Sequence, residues 1–105
     1  MAFKAAFIAH APDGDPETSR ALVETPKYKL FVVVVSNQEQ ANETCRRLVE
    51  EEGIESVLLC PGFTNAQVAE IANVVGKDVG VCVARGDGPS GKVASEALRR
   101  EWGFA

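Results

Sequence analysis

Apolar residues along this chain fall into four short runs separated by stretches of helical period. Residues 3–9, 29–36, 56–60 and 79–84 read as strands. The second run is the strongest. Its four consecutive valines, Val32 to Val35, cannot alternate between core and solvent. A strand of that kind is expected to be covered on both faces, as in the middle of a parallel sheet.

The stretches between the strands carry helix punctuation. Ser36 with Glu39 reads as a capping box opening a helix that runs to about Glu52 and stops at Gly53. Ala41, Cys45, Leu48 and Val49 form its apolar stripe. Thr64 with Gln67 reads as a second capping box. That helix carries Val68, Ile71, Ala72 and Val75 and ends at Gly76. A last helix opens near Pro89, with Val93, Ala94, Ala97 and Leu98 as its buried side and Arg99 and Arg100 at its negative end.

The segment after the first strand is less regular. Asp13-Gly14 suggests a turn, and Asp15-Pro16 suggests an N-cap and first turn for a short helix over 16–23, halted before Pro26. This alternation predicts an α/β fold: a small four-stranded, mostly parallel sheet with helices on both faces, in a flavodoxin-like or Rossmann-like three-layer arrangement. The expected strand order is 2-1-3-4. The direction of strand one depends on the first connection and stays open.

Composition narrows the picture. The 105 residues fit one domain, 1–105, with a core of its own. A hydrophobic content of 46% argues against disorder, and a net charge of −4 argues against a nucleic-acid partner. No segment approaches the length of a membrane span, and the N-terminus goes straight into a strand without a signal-peptide pattern. Cys45, Cys60 and Cys82 share no CxxC spacing, so reduced thiols and a cytoplasmic location are expected.

Candidate chemistry gathers where the strands end, which is where open parallel sheets bind ligands. His10 follows strand one and is the only histidine. Ser36 follows strand two. Strand three leads into Cys60-Pro61-Gly62-Phe63-Thr64-Asn65, and strand four into Arg85-Gly86-Asp87-Gly88-Pro89-Ser90. Cys60 stands just before a helix start, where a thiol gains nucleophilic character; a small residue closing the core is the alternative. His10 is the matching acid–base candidate. Gly86 to Lys92 comes close to a phosphate-binding loop. Val93 stands where the Mg²⁺-holding hydroxyl belongs, and Pro89 lacks an N–H, so a nucleotidase is rejected. What remains is a glycine-rich turn at a helix start, suited to a carboxylate or phosphate or simply to a tight turn. Arg85-Gly86-Asp87 as an adhesion tripeptide is coincidental. The acidic group Asp13, Asp15 and Glu17 lacks the rest of a calcium loop, and no zinc set exists; no metal is expected and no cofactor is indicated.

The segments Cys60-Pro-Gly-Phe-Thr-Asn65 and Ala84-Arg-Gly-Asp-Gly-Pro-Ser90, with Asp15-Pro16 and Glu24-Thr25-Pro26, resemble a family of small prokaryotic proteins of unknown function. The resemblance spans essentially the whole chain. Members often carry histidine where Asn65 stands here. It implies the fold and the strand-end location of the site, and no reaction. The expectation is binding of a small anionic metabolite. Arg85 with the turn Gly86, Asp87, Gly88 and Ser90 would take the negative group. Ser36, Gly62, Phe63, Thr64 and Asn65 would surround the rest, with His10 or Cys60 as the acid–base group. The alternatives are a non-catalytic regulatory subunit and an oligomeric assembly protein that uses its sheet edge and Trp102 with Phe104.

Overall fold

The computed structural model describes residues 1–103. Phe104, expected to form a terminal patch with Trp102, lies outside the described residues. Five strands form one sheet: β1 (Phe3–His10), β2 (Arg20–Thr25), β3 (Tyr28–Val35), β4 (Ser56–Leu59) and β5 (Gly80–Val83). Their order is β2-β3-β1-β4-β5. β1 is parallel to both β3 and β4, and β4 is parallel to β5. The four strands expected from the apolar runs therefore stand in the order 2-1-3-4, and strand one is parallel.

The fifth strand corrects two expectations at once. Residues 16–23 form no helix, and the sheet has five strands instead of four. Asp15 does make a turn: its side-chain oxygen accepts the N–H of Glu17 at 3.0 Å. Its carbonyl accepts from Ser19 at 2.6 Å. The chain then becomes β2, antiparallel to β3 and joined to it by Pro26-Lys27. Glu24 and Lys29 pair across this hairpin at 3.8 Å. The connection from β1 to β3 thus returns within the sheet plane as an edge strand, where a helix over one face was expected.

That substitution decides how the faces are covered. Helix α1 (Gln38–Arg47), continued by a π-helical turn over Leu48–Glu52, links β3 to β4. Helix α2 (Asn65–Val75) links β4 to β5. Both crossovers step in the same direction along the sheet, so right-handedness puts both helices on one face. There Ala6, Ile8, Val33, Val35, Val57 and Leu59 meet Ala41, Cys45, Leu48 and Ile71 in one core. Helix α3 (Gly88–Trp102) buries none of its residues fully. Val93 is 69% exposed, whereas Ala97 and Leu98 of the expected buried side are half-buried. The expectation of helices on both faces is met on one face only. Val33 and Val35 are fully buried, whereas Val32 and Val34, on the opposite face, are only half-buried.

The caps obey their chemistry with one shift. Asn37, not Ser36, caps α1: its side chain accepts the N–H of Gln40 at 2.8 Å. Gln40 Oε1 in turn accepts the N–H of Ser36 at 2.8 Å. Asn and Ser are equally good caps; here Gln40 holds Ser36, the residue before the cap, instead of closing a reciprocal box with Asn37. The π-helical turn ends at Gly53 with φ 70°, a left-handed position that favours glycine.

Candidate functional site

The carboxyl ends of β1, β3, β4 and β5 border a cavity of about 840 Å³ that α3 roofs. Its floor is formed by the loop after β1 (Ala11 and Pro12) and the loop after β4 (Cys60, Pro61 and Gly62). Its roof is one stripe of α3: Gly91, Ala94, Leu98 and Trp102. These recur every three or four residues, which places them on one side of the helix. Most of the lining is apolar. Arg85, Gly86, Ser36 and Ser90 add polar groups at the edge.

His10 ends β1 and reaches this wall because β1 is parallel to its neighbours. Its ring stacks on Phe63, and burial holds its pKa below the usual value. Nε2 is buried and has no hydrogen-bond partner among the described residues. Cys60 lies directly beside it. The backbone N–H of His10 donates to Cys60 Sγ at 3.4 Å, and the N–H of Cys60 donates to the Ile8 carbonyl at 3.0 Å. The contact joins thiol and backbone; the imidazole itself makes no bond to the thiol among the described residues.

The remaining predicted residues divide by task. Gly62, Gly86, Ser36, Arg85 and Ser90 line the cavity. Phe63 does not: it is 5% exposed and belongs to the core, backing the histidine from within. Thr64 is the N-cap of α2. Its Oγ1 accepts the N–H of Gln67 at 3.2 Å, and the N–H of Thr64 donates to Gln67 Oε1 at 2.9 Å. Asn65 is an exposed first residue of α2. Asp87 stands at the N-cap position of α3 without capping it, because its carboxylate pairs with Arg85 at 2.8 Å. Gly88 faces open space. The Ser36 hydroxyl is bonded to Gln40 Oε1 at 3.0 Å.

Sequence reasoning named Ala94 and Leu98 for the buried side of α3 without assigning them to the site, and it missed the first loop. With Trp102 at the same helical spacing, they line the cavity. Pro12 gave no signal. The loop that carries it is held by two contacts: Ala11 N–H donates to the Val35 carbonyl at 2.9 Å, and Gly14 packs against the Val35 backbone. Among the described residues, no cluster of His, Cys, Asp and Glu could hold a metal ion. No helix of the described chain is long and apolar enough to cross a membrane.

Residues 3–98 match the model of DUF6506, a family of unknown function, and the chain belongs to that family. No curated protein and no solved structure matches the chain.

Proposed function

We propose that this chain binds a small organic molecule with an apolar body and one anionic group in the cavity beneath α3. The observation that carries the reading is the cavity itself. At about 840 Å³ it lies within the range of small-molecule sites, about 300–1,000 Å³. It combines a mostly apolar lining with a guanidinium at its edge. Ala94, Leu98, Pro12 and Pro61 would hold the body of the ligand by burial. Arg85 would take the anionic group. Its present partner is Asp87, in a pair whose side chains are 86% and 60% exposed. Exposed pairs of this kind are worth about 0–1 kcal/mol, so a ligand carboxylate or phosphate can displace Asp87 at little cost.

His10 fits binding better than catalysis in this reading. A neutral imidazole with its Nε2 buried serves as part of the wall, and no side chain among the described residues orients that ring toward the thiol. The function is then that of a ligand-responsive domain, with Cys60 as part of the floor.

Thermal-shift measurements with a panel of aliphatic and aromatic carboxylates and phosphates test this. Concentration-dependent stabilisation by one class is expected. It should be lost or much weakened in Arg85→Ala and in Leu98→Glu, the second of which puts a charge into the roof. Absence of any stabilisation across the panel, or stabilisation that both variants retain, would count against it.

A further inference from the structure

The sheet face turned away from α1 and α2 is only partly covered in the described chain: Ala5 is buried and the loop at Gly14 reaches Val34, but the rest of the face is half-buried or exposed. It carries Phe7 and Ala9 from β1, Leu30, Val32 and Val34 from β3, and Leu58 from β4. Leu58 is 40% exposed, and Val23 on the edge strand is 57% exposed. Helix α3 faces the strand ends across the cavity, and none of its residues is fully buried. Among the described strand residues, no Asp, Glu, Lys or Arg stands on it. The charged residues of the strands, Lys4, Arg20, Glu24 and Lys29, all fall in register with the opposite face.

We infer that two copies of this chain pack open face to open face, as a symmetric dimer. Three considerations select a second copy as the occupant. First, the valine run of β3 is the composition of a strand covered on both sides, and one chain covers it fully on only one. Second, the face offers no charge and few hydrogen-bonding groups by which a different partner could be chosen. Two sheets of the same twist, by contrast, pack against each other about 10 Å apart, with their side chains interdigitated. Third, the area suffices. Five strands about 4.8 Å apart and about 20 Å long give about 480 Å² per copy. Two copies therefore bury about 960 Å², the size of a weak, concentration-dependent interface. Such a contact is isologous and closes on itself, so it stops at two. It shares only Ala9 with the lining of the cavity beneath α3, and neither proposal depends on the other.

Sedimentation or light scattering on the full chain tests the inference. The wild type should have twice the 11.2 kDa mass of one chain. Val32→Lys and Leu58→Lys should each be monomeric with unchanged circular dichroism. Val93→Lys, on the exposed side of α3, should stay dimeric. Cys82 lies on the open face and is exposed in one chain. It should react with iodoacetamide several-fold faster in Leu58→Lys than in the wild type, which gives a second readout if Val32→Lys fails to fold. A wild type that stays at the monomer mass at its highest soluble concentration overturns the inference. So does a dimer that both lysine variants leave intact, or a monomer whose open face instead binds zwitterionic lipid vesicles.

Discussion

The imidazole of His10 lies against the ring of Phe63, with centroids 4.0 Å apart and planes 25° from parallel. The stack explains why a strand-end histidine is half-buried and neutral: its neighbour is a core residue, and burial disfavours the imidazolium. The folded state therefore binds the proton less readily than the unfolded chain, whose histidine titrates near 6.5. Stability is fully present above that pH. It declines as the pH falls below about 6.5 and levels off once the folded-state pKa is passed. The melting temperature should drop across this window in the wild type and drop less in His10→Gln. Equal slopes in the two proteins would mean that the histidine is not the source.

Gly14 is buried where the loop after β1 crosses the end of β3. A Cβ there would sit 2.8 Å from the Val35 carbonyl carbon and oxygen and 2.9 Å from Val34 Cγ1. Two of these atoms are backbone and cannot swing aside. Gly14→Ala should therefore cost about 1–3 kcal/mol, the usual cost of forcing extra volume into a packed site. Gly62→Ala is the control, since its new Cβ would meet Cys60 Sγ at an ordinary 3.6 Å. Urea denaturation should show a clear loss of midpoint for the first and little change for the second. Because this loop carries Ala11 and Pro12 into the cavity, Gly14→Ala should also weaken ligand stabilisation.

What could be read in the sequence was set by how local the deciding interaction is. The strand runs, the Thr64 cap and the glycine stops depend on neighbours within a turn, and they stand where the pattern put them. β2 does not announce itself, because Arg20 to Thr25 is exposed at every position and owes its strand form to pairing with β3. The Asp15-Pro16 turn before it is real, but the chain leaves that turn extended instead of coiled. The valines of β3 predicted cover on both faces, but Val32 and Val34 are only half-buried, because the helix expected over the second face is replaced by an edge strand. At the site, the loops after β4 and β5 could be placed from strand order alone; the loop after β1 could not, because the direction of strand one stayed open. The task of each side chain could not: Phe63 looks like a loop aromatic until His10 is seen resting on it.

Thr64 separates a structural from a ligand-binding role. Its hydroxyl and the side chain of Gln67 form a reciprocal cap, and the residue does not line the cavity. Thr64→Ala should cost about 1 kcal/mol, and Thr64→Ser should restore most of it. Asn37→Ala should cost a similar amount, because it removes the equivalent bond to Gln40 at 2.8 Å. Neither alanine variant should change the ligand-induced shift measured from its own lowered baseline. Loss of that shift in Thr64→Ala alone would assign the hydroxyl to the ligand after all.

Cys45 reports on opening of the core. It is fully buried on α1 within the cluster that includes Val33 and Ile71. Burial pushes its thiol up to about 12. Near pH 8 only about one molecule in ten thousand carries the reactive thiolate, and no reagent reaches it in the closed state. Modification must therefore wait for unfolding of the α1 face. Its rate should fall in proportion to the population of that open state when opening is faster than reaction. In a Cys60→Ala, Cys82→Ala background, the remaining thiol should stay unlabelled under native conditions and react fully above the urea midpoint. The opening free energy from labelling should match the global value from circular dichroism. A markedly smaller value would mean that α1 detaches from the sheet on its own while the rest of the core stays folded.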